Sequence, residues 1–161
     1  MTNLKNKTRK GFTLVELLIA IIILGALAST MMLSAGNSVA AAKANTIISN
    51  MVTVKDAAVM YYSSLHLSAN ISDFESKAGT YLGDFQLNKR QGSATFKVVA
   101  RDSDTTKWYV QAIVEESDND NAAIRDYLEK SASKSQLIST TNGSGTQYKA
   151  ADGNTLYMQI K

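Results

Sequence analysis

The chain of 161 residues has no cysteine, no proline and a single histidine, His66. Without cysteine there is neither a disulfide framework nor a thiolate metal site, and one histidine cannot build an imidazole cluster. The absence of proline, usually about 5% of residues, leaves helices free to run long and gives the turns to Gly, Asn, Asp and Ser. Nucleophilic catalysis has no foothold either, because no Ser/His/Asp or Cys/His set stands in a recognisable context. No enzymatic activity and no cofactor are expected, and His66 reads as a surface or cap residue behind a helix.

Acidic residues are missing from the first 15 positions, where Lys5, Lys7, Arg9 and Lys10 gather. Those four belong to 17 basic side chains, so the remainder holds 13 against 14 acids, a net charge of −1 rather than the +3 of the whole. The basicity belongs to the leader, and its location matters more than its sum. From Gly11 to Ala42 the one charged side chain is Glu16. Phe12 to Leu33 makes 22 residues, about 33 Å of helix at ~1.5 Å per residue, which matches a bilayer core of ~30 Å. A single membrane span is expected, with the N-terminus cytoplasmic because the positive charge precedes it.

Glu16 stands out, since a carboxylate within an apolar span is costly and marks function by default. Its place near the helix N-terminus favours negative charge. It lies four residues from Phe12, one helical turn; if the chain is cut after Gly11, the new α-amino group and the carboxylate share a helix face and can form or exchange an ion pair.

The run Lys10-Gly11-Phe12-Thr13-Leu14-Val15-Glu16, behind a basic leader and ahead of an apolar stretch, resembles the class III signal of type IV pilins and related pseudopilins. The resemblance implies cleavage after Gly11 by a prepilin peptidase, N-methylation of Phe12, and pairing of Glu16 with the amine of a neighbouring subunit. It also implies an α+β, pilin-like fold, in which a long N-terminal helix packs on a small antiparallel β-sheet head. The partners that follow are copies of the chain in a helical filament, the peptidase and methyltransferase, a pilus or secretion assembly platform, and membrane lipid before assembly. The location is the cytoplasmic membrane first and a cell-surface pilus or envelope-spanning pseudopilus afterwards. Gly25 fits a glycine that many relatives carry within this helix, and Leu33 stands where they carry a proline.

Two other readings share the segment. A pseudopilin of a secretion or DNA-uptake machine would carry the same signal. Ala26-Leu27-Ala28 resembles the small-residue site of an ordinary secretory signal, with cleavage before Ser29, which would release a binding module. A glutamate at the head of the apolar region fits that last reading poorly.

Beyond the span, Ile47, Met51, Val54, Ala58, Tyr61 and Leu65 recur at helical spacing, with Thr46, Ser49, Thr53, Asp56 and Ser63 opposite them. The pattern predicts one helix from Thr13 to Ser64, apolar all round in its first half and amphipathic in its second. Ser72-Asp73-Phe74-Glu75 follows the S-x-x-E pattern and predicts a short helix ending at Gly79. Residues 95–100 and 107–114 read as strands joined by the turn Asp102-Ser103-Asp104-Thr105, with only one of Trp108 and Tyr109 in the core. A short helix is expected at about 119–133, and residues 146–148 and 155–160 read as a closing hairpin. The resulting division is a leader at 1–11, an assembly half-helix at 12–38, an amphipathic half at 39–66, an αβ connector at 67–92 and a sheet at 93–161.

Other clusters carry less. Asp118, Asp120 and Glu129 take the first, third and twelfth places of a calcium loop, but Ala122 and Ala123 occupy its fifth and sixth, so helix capping is the better account. Asn142-Gly143-Ser144-Gly145 lacks the Lys-Ser/Thr of a phosphate loop. Lys89, Arg90, Lys97 and Arg101 read as a solvated basic face, and nucleic-acid binding is not supported.

Overall fold

Leu14 to Leu65 forms one helix, α1, of 52 residues in the computed structural model of the chain. The structure describes residues 11–65, 69–101, 104–115, 118–140 and 146–160, without the side chains of 33–35, 37, 101, 104–105 and 118–120. The basic leader residues, His66, the tip of the expected turn at 102–103 and the loop 142–145 lie outside the described residues, as do the side chains of Leu33, Asp118 and Asp120. The chain divides into two units, Met1–Asn37 and Ser38–Lys161.

In the first unit α1 is apolar on every side and exposed on every side. Leu14–Met32, 19 residues, is long and apolar enough to cross a membrane, and none of that stretch is buried within the protein.

In the second unit the predicted stripe is the core face of α1. Ala44, Ile47, Met51, Val54, Ala58 and Tyr61 are buried, whereas Thr46, Ser49, Thr53, Asp56 and Ser63 are exposed. Against this stripe lies one face of a five-stranded antiparallel sheet in the order β1-β2-β3-β5-β4, formed by Arg90–Gln91, Ala94–Arg101, Asp104–Val114, Thr155–Gln159 and Leu137–Ile138 for β1, β2, β3, β5 and β4 respectively. Alternation sets the inner face: Ala94, Phe96 and Val98 of β2, Trp108, Val110, Ala112 and Val114 of β3, and Leu156 and Met158 of β5 are all buried. The register agrees, pairing Phe96 with Ala112 and Ala112 with Leu156, so the apolar side chains of three strands stack in rows. The architecture is α+β and pilin-like, as the sequence implied.

Four local expectations are corrected. The turn between β2 and β3 is shorter than Asp102–Thr105, since Arg101 already pairs with Asp104 and a register shift at Ala100/Arg101 absorbs the difference. Trp108 and Tyr109 do point to opposite faces, yet both are buried; Trp108 stacks on Tyr61 with ring centroids 6.3 Å apart, and Tyr109 lies on the far side of the sheet. Residues 146–148 do not pair with 155–160. They run beside β4 instead, through Ser139 N–H to the Thr146 carbonyl and Tyr148 N–H to the Leu137 carbonyl, while β5 inserts between β3 and β4. Tyr148 explains the choice: it is fully buried, and its hydroxyl donates to the Gly153 carbonyl at 2.7 Å, which turns the chain before β5. Burial pushes its hydroxyl up to about 12.

The fourth correction concerns the connector. Its first helix, α2, spans Ile71–Ser76 and is capped by Asn70, whose side chain accepts the Asp73 N–H at 2.7 Å, rather than by Ser72. After Lys77 a second helix, α3, spans Ala78–Leu82 and ends at Gly83 with φ +60°, so Gly79 lies inside a helix and not at its end. Capping at Asn70 places Asp73 in the first turn, where its carboxylate serves two partners. Tyr61 of α1 donates its hydroxyl to Asp73 Oδ2 at 2.5 Å, and Lys77 Nζ approaches the same oxygen at 3.0 Å. Tyr61 is also the hub of a ring cluster with Phe74, Tyr81 and Trp108. The connector is therefore clamped to α1 by one polar contact set within aromatic packing. Helix α4, Asp118–Ser135, closes the body with Ile124, Leu128 and Ala132 buried, and its Glu129 accepts the Ala150 N–H at 2.8 Å.

The clamp makes stability depend on pH. The Tyr61 hydroxyl first, then Lys77, holds the Asp73 carboxyl below its ordinary range, while burial and the Asp73 contact push the Tyr61 hydroxyl up and Asp73 raises Lys77. A carboxyl depressed in the fold contributes stability that is present above its unfolded value, near ~3.9, and lost as pH falls through the folded value. The raised Tyr61 and Lys77 contribute below about 10 and lose that contribution as pH rises through their folded values. Asp73→Asn is expected to lower the stability of the full chain in detergent at neutral pH and to flatten its loss on acidification. Urea unfolding at a series of pH values reads both changes.

Candidate functional site

The site is the head of α1, where an extended segment becomes a helix. Residues 11–13 are not helical and Leu14 opens the first turn. Thr13 stands at the N-cap position and Glu16 three residues on, a T-x-x-E capping box. The Thr13 N–H donates to Glu16 Oε2 at 2.9 Å, the Thr13 hydroxyl donates to the same oxygen at 2.8 Å, and the Glu16 N–H donates to Thr13 Oγ1 at 3.2 Å. Three hydrogen bonds between two residues close the helix end. They satisfy donors that a lipid surrounding would leave orphaned. The carboxylate also sits in the first turn, where the helix dipole favours it.

Phe12 precedes the cap and is exposed, so it is outside the helix and does not share a helical face with Glu16 in the uncut chain. The capping box is the reason, because Thr13 in the cap position ends the helix one residue short of Phe12. The nitrogen of Phe12 is still an amide here, so the partner of Glu16 is Thr13. Sequence reasoning passed over Thr13, although the T-x-x-E spacing that marks it is the same pattern used for Ser72.

Gly11 is exposed, and a Cβ built on it meets nothing within 4 Å. Its backbone lies outside the left-handed region that would favour glycine. Nothing in the fold requires glycine at this position, so a requirement for it must come from a molecule that binds the chain there.

Residues 6–32 match the family model described as the prokaryotic N-terminal methylation motif. This is the class III signal of type IV pilins and pseudopilins, and it spans the leader from residue 6 onward, Gly11, the capping box and nearly all of the apolar stretch. Residues 6–32 are thus similar to the signal that type IV pilin and pseudopilin precursors carry, a signal of structural subunits. Neither the curated proteins nor the solved structures give a significant match.

Proposed function

We propose that the chain is the structural subunit of a type IV pilus or pilus-like filament. It is inserted into the cytoplasmic membrane as a prepilin, cleaved after Gly11, N-methylated at Phe12 and polymerised through its N-terminal helix. The observation that carries the reading is the methylation signal joined directly to an apolar helix exposed on all sides. Such a surface suits lipid first and then a bundle of identical helices. The body from Ser38 onward has its own core and is the cargo that the helix carries. In this reading residues 1–11 are the leader, 12–38 the assembly half of the helix, 39–66 the half that docks on the sheet, 67–92 the connector and 93–161 the remaining body.

Cleavage turns the Phe12 nitrogen into an amine and so creates a cation beside the first turn. In the low-dielectric core of a filament the Glu16 carboxylate needs such a cation, and the amine of an adjoining copy supplies it. Peptidase, methyltransferase and assembly platform are the partners, and the assembled form lies at the cell surface or across the envelope.

Intact-mass analysis of the mature protein tests the reading. The expected species begins at Phe12 and is one methyl group heavier than the bare chain. A species beginning at Ser29, or one retaining residues 1–11, would overturn it. Sheared surface filaments rich in the chain would mark a pilus subunit, whereas the chain confined to the envelope would mark the pseudopilin that shares the signal.

A further inference from the structure

The capping box does more than start a helix. Both donors of Thr13 converge on one carboxylate oxygen, Oε2, at 2.9 and 2.8 Å. Among the described residues no donor is bonded to Oε1. A carboxylate can accept about four hydrogen bonds, so Glu16 is held by one oxygen and presents the other. The bonds are charge-assisted, and they fix a side chain that would otherwise carry much rotamer freedom. Order of this kind, made within the chain before assembly, removes a cost that a free glutamate would meet on pairing.

We propose that Thr13 is the positioning residue of Glu16: it clasps Oε2 within the subunit so that Oε1 is aimed outward to take the cation of a second copy. The inference rests on the filament reading and adds a residue to it. In an assembled fibre the carboxylate then bridges two chains, with Thr13 of its own on one oxygen and the Phe12 amine of the next on the other. Removing the Thr13 hydroxyl leaves the carboxylate held by the backbone N–H alone and so less firmly aimed, and assembly falls while insertion and cleavage stay.

The test uses three full-length single variants and one double variant in a host that assembles the filament. Thr13→Gly keeps most of the capping, since glycine is nearly as good an N-cap as threonine, but has no hydroxyl. Thr13→Ser restores the hydroxyl, and Glu16→Ala removes the carboxylate. The expected result is that Thr13→Gly is cleaved and methylated like the parent yet yields roughly fivefold fewer filaments or less, that Thr13→Ser matches the parent, and that Thr13→Gly with Glu16→Ala is no worse than Glu16→Ala alone. Parent-level filaments from Thr13→Gly, with Glu16→Ala deficient, would overturn the inference and leave the filament reading intact. Loss of cleavage in Thr13→Gly, or a Thr13→Ser variant that stays deficient, overturns it as well. Parent-level filaments from Glu16→Ala sink the role of Glu16 itself, and the positioning role with it.

Discussion

Replacing Glu16 with Ala is expected to leave insertion and cleavage unchanged and to cut the filament yield by roughly tenfold or more. Among the described residues the carboxylate's hydrogen bonds are both to Thr13, three positions away. Its removal therefore cannot unfold the domain that begins at Ser38. Insertion depends on the apolar stretch and the flanking positive charge, both untouched, and an alanine makes that stretch more apolar. What changes is the meeting of two copies. In the proposed filament each subunit would still carry a Phe12 amine, and in a water-poor helical bundle that cation would have lost its counter-charge, the more expensive half of a broken ion pair. The measurement is the ratio of sheared filament to membrane-retained mature protein. Unchanged filament yield with normal processing would remove Glu16 from assembly.

The second large effect is expected at Gly11. A bulky residue there, such as leucine, is expected to block processing, so that precursor and cell-surface forms show no difference in mass. The force of this experiment comes from what glycine does not do in the protein itself. Its Cβ position is open and its backbone is one that any residue adopts. Leucine at 11 is thus neutral for folding, and a failure of cleavage would report on recognition by the proposed peptidase. If Gly11→Leu is cut at the parent rate, the assigned cleavage site is wrong.

Long, periodic elements were legible in the sequence, and short ones were not. The α1 stripe and the strands β2 and β3 repeat their pattern over many residues, so helical and alternating periods separate cleanly. The connector offered two overlapping caps, Asn70 with Asp73 and Ser72 with Glu75. The choice fell to Asn70, which leaves Asp73 aimed at Tyr61 on a helix 12 residues earlier. No local pattern carries that long-range preference. The two-residue strand β4 has no period at all, and its pairing with both β5 and residues 146–148 is decided by where Tyr148 is buried. At the site the charged residue was conspicuous because charge is rare there. Thr13 was not, because a threonine beside an apolar run looks ordinary until its hydroxyl is traced to Glu16.

The sheet has a feature that bears on how copies of the chain avoid one another. Its outermost strands, β1 and β4, are two residues long, and β4 is flanked by the stretch at 146–148. A two-residue outer strand offers little template on which a neighbour's strand can lengthen the ladder, and at β4 the stretch at 146–148 already occupies that side. A protein concentrated in a membrane and then crowded along a fibre, as proposed, would meet its own kind constantly, and sticky margins would let the bodies clump sideways in any register. Among the described residues the apolar stretch of α1 is then the more extended adhesive surface, and growth of the proposed filament would follow it because the body offers a neighbour so little edge.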